Sequence, residues 1–354
     1  MKKTFLFLTV ILLSLFLFYF FSLKSNKSKT HLSSPLSQIT KTIPTPTPTP
    51  KIQASLIAVG DIMLSRTVAQ KIKQNSPDYP FTKTADFLQS ADLLFANLET
   101  SLTEGRAINS GEMLFRADPT LAQTLKKYNF SILSLANNHT PNFGNKGLLD
   151  TFQYLSQAGI KYVGAGQNQT KAAQPQYIKK NGIKFAFLAY NDSDVVPLSY
   201  FATPNSPGTN PMNLDSLKSH IKTAKQKADF VIVSMHSGNE YVNNPNQSQI
   251  NFAHTAIDAG AEIVIGHHPH TIQILEKYKN KFIFYSLGNF IFDQMWSQQT
   301  RQGLAIKIFF NQNEIEKIDL IPVLINDYCQ PQIITDQTYS QKILKKLNYD
   351  LTKL

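Results

Sequence analysis

Past Lys51 the chain alternates short apolar runs with amphipathic stretches. "ASLIAVG" (54–60), "LLFANL" (93–98), "SILSLA" (131–136), "KFAFLAY" (184–190), "FVIVSM" (230–235), "EIVIG" (262–266) and "FIFYSLG" (282–288) are rich in β-branched and aromatic residues. Bounded by turn residues, each predicts a buried strand. "LDTFQYLSQAG" (149–159), "LDSLKSHIKTAKQKA" (214–228) and "SQINFAHTAIDAG" (248–260) carry the helical period, and the first and third close on a Gly suited to a helix C-terminus. Strand and helix alternate, which predicts the α/β class. "GLAIKIFF" (303–310) and "EIEKIDLIPVLI" (314–325) meet at "NQNE" as a hairpin, so the sheets are expected to be mixed.

The N-terminus follows a different pattern. Between Lys3 and Lys24 lie 20 uncharged, mostly apolar residues. About 20 helical residues span a bilayer, whereas a signal-peptide core takes about 7–15. No small-x-small cleavage pattern follows, so residues 4–23 read as a transmembrane signal anchor behind a short cytoplasmic tail, 1–3. Lysines flank both ends, and the positive-inside count is near a tie. Residues 24–51 form a Ser/Thr/Pro/Lys-rich linker in which "IPTPTPTP" is a stiff, extended spacer. Such a stalk suits a single-pass protein of the cell membrane whose large domain, 52–330, is extracellular. A C-terminal tail, 331–354, is expected to be helical.

Charge changes the picture less than its total suggests. The net charge is +11, but residues 1–51 hold seven lysines and no acid, which leaves +4 over the remaining 303 residues. Without a clustered Arg/Lys stripe or interleaved aromatics, nucleic acid is not an expected partner. The lone Cys329 excludes an internal disulfide and any cysteine-built zinc cluster.

The chemistry follows the apolar runs. "SLIAVGD" ends in Asp61, "LLFANLET" in Asn97 and Glu99, and "SILSLANNH" in Asn137, Asn138 and His139. "FVIVSMHSGNEY" supplies His236 and Glu240, "EIVIGHHPH" supplies His267, His268 and His270, and "FIFYSLGNF" supplies Asn289. In α/β sheets ligands gather beyond the carboxyl ends of strands, so these residues are expected to converge. A single Asn after a strand is usually turn chemistry, and helix residues such as His220 or His254 are usually surface or core. The recurrence at six strand ends is what favours a metal site. Carboxylate, amide and imidazole donors together suit one or two divalent ions, with Mn, Fe or Zn expected. On extended backbone alternate residues share a face, so His268 and His270 should point together while His267 turns away into a supporting role.

The strings "GDIMLSR", "ANLETSLT", "FRADP", "LANNH" with "GNKGLLDT", "GAGQN", "MHSGNEY", "GHHPHTIQ" and "YSLGNFIFDQ" resemble, in order from about residue 55 to 325, the bacterial capsule and poly-γ-glutamate synthesis proteins of the CapA family. That resemblance implies a branch of the calcineurin-like metallophosphoesterases. Its fold would be two mixed β-sheets packed together and flanked by helices, a four-layer sandwich with a two-metal centre. By the same resemblance Asp61, Glu99, Asn138, His236, His268 and His270 are metal ligands, and His139 is catalytic. Arg116 is expected to clamp an anion, with Glu240 and Asn289 also on the substrate side. Two departures stand out: Asp61-Ile62-Met63 lacks the histidine of an Asp-x-His motif, and Asn142 occupies a position where the family commonly has Asp. The family implies a metal-dependent hydrolase or transferase acting at a phosphoester or comparable centre, or else a non-catalytic subunit that guides an anionic polymer. The expected partners are the membrane, poly-γ-glutamate or another cell-surface polymer, and other capsule-synthesis subunits.

Overall fold

The structure, a computed structural model, describes residues 53–349. The expected tail, anchor and linker (1–3, 4–23 and 24–51) lie outside the described residues. Among the described residues no helix is long and apolar enough to cross a membrane.

Eight strands form the first sheet: β1 (Ala54–Ile62), β2 (Leu93–Leu98), β5 (Ile132–Ser134), β6 (Lys161–Val163), β15 (Asn289–Ile291), β16 (Gln302–Phe310), β17 (Ile315–Asn326) and β18 (Gln330–Ile333). β3 (Ser101–Leu102) and β4 (Arg116–Ala117) pair as a small ladder beside it, as do β7 (Ala165–Gly166) and β10 (Gly208–Thr209). The second sheet holds β8 (Gln176–Lys180), β9 (Ile183–Asn191), β11 (Phe230–His236), β12 (Ile263–His267), β13 (Leu275–Tyr278) and β14 (Lys281–Phe284). Both sheets are mixed, with parallel centres (β1–β2–β5–β6 and β9–β11–β12–β14) and antiparallel flanks. The predicted hairpin is β16–β17.

Strand alternation divides the apolar side chains into three cores, and three cores require four layers. Leu56 and Ala58 of β1 meet Phe185 and Phe187 of β9, Ile232 of β11 and Ile263 of β12 in the layer between the sheets. Ile57 and Val59 face the other way, onto Leu148, Phe152 and Leu155 of the helix Gly144–Gln157. Val231, Val233 and Met235 face outward onto Leu217 and Ile221 of the helix Leu214–Lys225 and Phe252 of the helix Gln247–Ala259. The helix–sheet–sheet–helix order agrees with the expected sandwich. The expected domain edge at 330 falls inside neither a linker nor a loop. Residues 330–333 are β18, and beyond the helix Gln337–Leu344 the buried Leu347 joins Ile343 in the central core.

One apolar run connects the two sheets. "FIFYSLG" predicts a single strand, but β14 ends at Phe284 and the chain crosses to β15 in the other sheet, where Asn289 pairs with Asp61. The crossing needs close backbone contact: a Cβ on Gly60 would stand 1.9 Å from the Gly288 carbonyl oxygen. That oxygen also accepts from the Asp61 amide at 3.0 Å. Gly60→Ala must displace β15, and overpacking of this kind typically costs about 1–3 kcal/mol or more. Calorimetry should show a melting temperature several degrees below wild type, and an unchanged one would refute this contact.

Candidate metal centre

Asp61 is the last residue but one of β1 and is fully buried. Its Oδ1 accepts from Asn97 Nδ2 at 2.9 Å and its Oδ2 from the His268 amide at 3.2 Å. Burial pushes its carboxyl up, but the flanking His267 and His270 imidazoles outweigh this and hold it well below the usual range. Glu99 follows β2 and is equally buried, yet neither of its oxygens has a hydrogen-bond partner. Its Oε1 lies 3.8 Å from His139 Nε2 and 3.9 Å from His270 Nε2. Burial first, and then the charge of Asp61, raise its carboxyl well above the ordinary value.

The turn after β5 is built by its amides. Asn137 donates to Asn97 Oδ1 and to the Leu98 carbonyl, both at 2.9 Å, and its Oδ1 accepts from the amides of His139 and Thr140. With every polar atom engaged, Asn137 shapes the turn that presents its two neighbours. Asn138 Oδ1 meets His236 Nε2 at 2.9 Å, so these two expected ligands from different sheets touch. His139 stacks on Phe115 with ring centroids 3.7 Å apart, and its Nδ1 lies 2.9 Å from Asn142 Oδ1. Asn142 therefore keeps the orienting contact despite lacking the acid's charge. Burial drives the His139 imidazole down to about 3.

The second sheet supplies the histidines. His236 ends β11, within 3.3 Å of Asn97 Nδ2, and burial holds its imidazole well below the usual range. His268 and His270 come together in one donor group, although not on extended backbone: β12 stops at His267 and the chain then takes φ of +98° at His268 and +57° at His270. These left-handed conformations, unusual for non-glycine residues, bend the loop back on the site. His267 does not turn away from the site: its Nδ1 is 3.1 Å from Asp61 Oδ1, off the alignment of a hydrogen bond. His268 is driven to about 3 by burial, and its Nδ1 has no partner. Burial opposes the charge of His270, but the Glu99 and Asp61 carboxylates raise it to about 9. Asn289 Oδ1 meets His270 Nδ1 at 2.9 Å, while its amide nitrogen is tied to Gln294 and the Thr300 carbonyl. Asn289 thus orients a histidine. His220 and His254 are satisfied elsewhere, by Tyr190 and Glu276.

Two donor groups emerge: Asp61, Glu99 and His236 offer atoms within 4.8 Å of one another, and so do Glu240, His268 and His270. Buried oxygens and ring nitrogens with no protein partner are donors left unspent, and oxygen with imidazole suits a divalent ion of the Mn, Fe or Zn kind. The donor set therefore fits a metal. At the position of the missing histidine, Met63 is buried and its sulfur accepts from the Ser65 amide at 3.0 Å.

Arg116 departs from expectation. Its Nε and Nη1 donate to the Arg106 and Thr103 carbonyls, at 2.9 and 2.7 Å. Arg66 is, after His270, a second cation whose charge bears on Glu99 and His139. It is 7% exposed, ion-paired to Asp293, and its guanidinium lies 4.5 Å from the Phe115 ring centre. "GDIMLSR" contains Arg66, but nothing along the chain marks it as facing the residues of "LANNH".

The architecture and donors define a two-sheet α/β sandwich with a metal-type cluster where both sheets end. Within that class, the profile of the family "Bacterial capsule synthesis protein PGA_cap" matches residues 55–294, and the chain belongs to this family. It is 33% identical to the capsule biosynthesis protein CapA of Bacillus anthracis, over 89% of this chain and 78% of that protein. It is 32% identical to the PGA biosynthesis protein CapA of Bacillus subtilis, over 82% and 77% of the respective chains. A probable polyglutamine synthesis accessory protein of Mycobacterium tuberculosis is 30% identical over 58% of this chain and 56% of that one. Among solved structures, the calcineurin-like phosphoesterase YfkN from Bacillus subtilis is a distant likeness. Its TM-score is 0.48 at 16% identity, over 85% of this chain and 99% of that one.

Proposed function

We propose that this protein serves capsule or poly-γ-glutamate biosynthesis or export as a divalent-metal-dependent hydrolase or transferase, anchored in the cell membrane with its large domain outside. Its relatives in two Bacillus species are named for capsule and PGA biosynthesis. The observation that carries the chemistry is Glu99: a buried carboxyl with both oxygens unpartnered is costly unless a cation completes it. Asp61, Glu99 and His236 would hold one ion with Asn138 beside them, and Glu240, His268 and His270 a second. A bound divalent ion supplies Lewis-acid polarisation and a water of lowered pKa. Phe115 and Asn142 hold the His139 ring so that Nε2 faces Glu99 and can take or return a proton there. Arg66, ion-paired to Asp293, lays its guanidinium over Phe115, the ring on which His139 stacks, and so fixes that wall of the site.

Met63 favours a second reading, a polymer-binding assembly subunit without turnover, since one ligand of a two-ion site is replaced by a buried thioether. Metal analysis and phosphodiesterase assays on the purified full chain separate the two. Bound divalent metal with Mn-stimulated turnover, both lost in a His268→Ala/His270→Ala double variant, is the expected result. A folded, metal-free, inactive chain that still binds polyglutamate would replace the enzyme with the assembly subunit.

A further inference from the structure

The second donor group draws on separate loops: Glu240 follows β11, His268 and His270 follow β12, and the three offer atoms within 4.8 Å of one another. Three side chains connect two of these residues, and one main-chain oxygen sets their direction. The Thr300 carbonyl can only accept, so at 3.0 Å it fixes which end of the Asn289 amide is nitrogen. Asn289 Oδ1 is thereby turned to His270 Nδ1, which must carry hydrogen, and Nε2 is the ring nitrogen left towards Glu99. The other Asn289 Nδ2 hydrogen goes to Gln294 Oε1 at 3.1 Å. Gln294 must then present its own nitrogen to the Tyr241 hydroxyl oxygen, 3.2 Å away. That oxygen accepts, leaving its hydrogen for the neighbouring Glu240 carboxylate. Burial, and after it the charge of Glu240 and a hydrogen bond to that carboxylate, raise the Tyr241 phenol.

The path crosses between the sheets: Asn289 belongs to β15 of the first, while Glu240 and Tyr241 follow β11 of the second. Tyr241 is pinned in its place. Its amide donates to the Pro269 carbonyl at 2.8 Å, inside the loop that carries the histidines. Its φ of +66° is a left-handed value that an aromatic residue holds only where its surroundings over-determine it. Its ring lies against His270, with centroids 6.1 Å apart. Gln294 is fixed as well, since the Thr300 hydroxyl donates to its carbonyl at 2.7 Å. We propose that Gln294 and Tyr241 are positioning residues for the second ion: with Asn289 they form a directed hydrogen-bond chain that holds His270 and Glu240 in one mutual geometry. Each acts through a ligand and neither supplies a donor to the ion. The assignment rests on the metal reading above and adds to it two residues outside both donor groups.

The test is Mn²⁺ titration of the chelator-stripped full chain, with bound metal counted by mass spectrometry. Trp296, the only tryptophan of the chain, packs edge-on against Tyr241 with centroids 4.9 Å apart, so its emission reports filling of this group. Tyr241→Phe removes the hydroxyl and keeps the ring, and Gln294→Ala removes both side-chain bonds. Each should weaken the ion that changes Trp296 emission by about 10–100-fold and leave the ion of Asp61, Glu99 and His236 within about twofold. A loss confined to one ion separates positioning from damage to the fold. The combined variant should lose little beyond the larger single effect, because one break already opens the chain. Gln298→Ala, at an exposed neighbour bonded to the Tyr339 hydroxyl, should leave the affinity unchanged. Wild-type affinity in both variants, equal weakening of both ions, additive losses in the combined variant, or an equal loss in Gln298→Ala would each overturn the chain. A wild type that binds one ion without an emission change overturns this assignment alone, and one that binds no ion overturns the metal reading as well.

Discussion

Glu99→Gln should strip the chain of divalent metal and, in EDTA, remove a pH-dependent weakness from the fold. Glutamine keeps the shape of the side chain but cannot supply two anionic oxygens, so metal content measured by mass spectrometry should fall to background. The stability effect follows from the raised carboxyl. In the metal-free folded chain Glu99 holds its proton at pH values where the unfolded chain, with the ordinary value of 4.5, has released it. The associated stability is complete below about 4.5 and is lost as pH rises towards the folded value. Raising the pH above about 4.5 therefore weakens the metal-free wild type through this group and leaves the variant without that dependence. In EDTA the melting temperature of wild type should fall relative to that of the variant as the pH is raised from about 5 to about 7. Added Mn²⁺ should close the gap for wild type only. Parallel pH curves together with wild-type metal content would show that Glu99 is not a ligand.

His139→Ala should reduce turnover by about 10²–10⁴-fold, the usual worth of general acid–base help, while metal content holds. The hydrogen bonds around Asn142 assign the proton. Its Oδ1 accepts from the Phe115 amide and its Nδ2 donates to the Asn138 carbonyl, so the oxygen faces His139 Nδ1. Nδ1 must then carry the hydrogen, leaving the Nε2 lone pair towards Glu99. An imidazole held to about 3 by burial is neutral across the working range, and Asn142 adds no charge to favour protonation. Asn142→Asp would add that charge in contact with Nδ1. The imidazolium gains, its pKa rises by about 1–3 units, and the acidic limb of kcat/KM moves to higher pH by the same amount. If His139→Ala kept full turnover, or if the limb stayed fixed in Asn142→Asp, His139 would be packing against Phe115 and nothing more.

Much of the site was legible because each element announces its own end. The short continuous apolar runs locate β1, β2, β5, β11 and β12, and parallel strands present their carboxyl ends on one side, so Asp61, Glu99, His139, His236 and His270 could be grouped from the chain alone. Met63 and Asn142 were likewise visible as departures. What those departures do was not: that Asn142 still holds His139 depends on Phe115 and Asn138, 27 and 4 residues away.

The sequence by itself therefore determined the class of fold, the strand ends and the kinds of donor, because those rest on local periodicity and side-chain chemistry. Tertiary structure alone decided which donors meet and which way they face. The left-handed backbone at His268 and His270 brings those two side chains into one donor group, a bend that no pattern of residue types encodes. The crossing at Gly288 carries Asn289 from the end of one sheet to the side of β1 in the other. The choice of Arg66 over Arg116 was settled by distant partners, Asp293 for the first and the Arg106 and Thr103 carbonyls for the second. A long side chain has several rotatable bonds, and only the surrounding packing selects where its charge ends up.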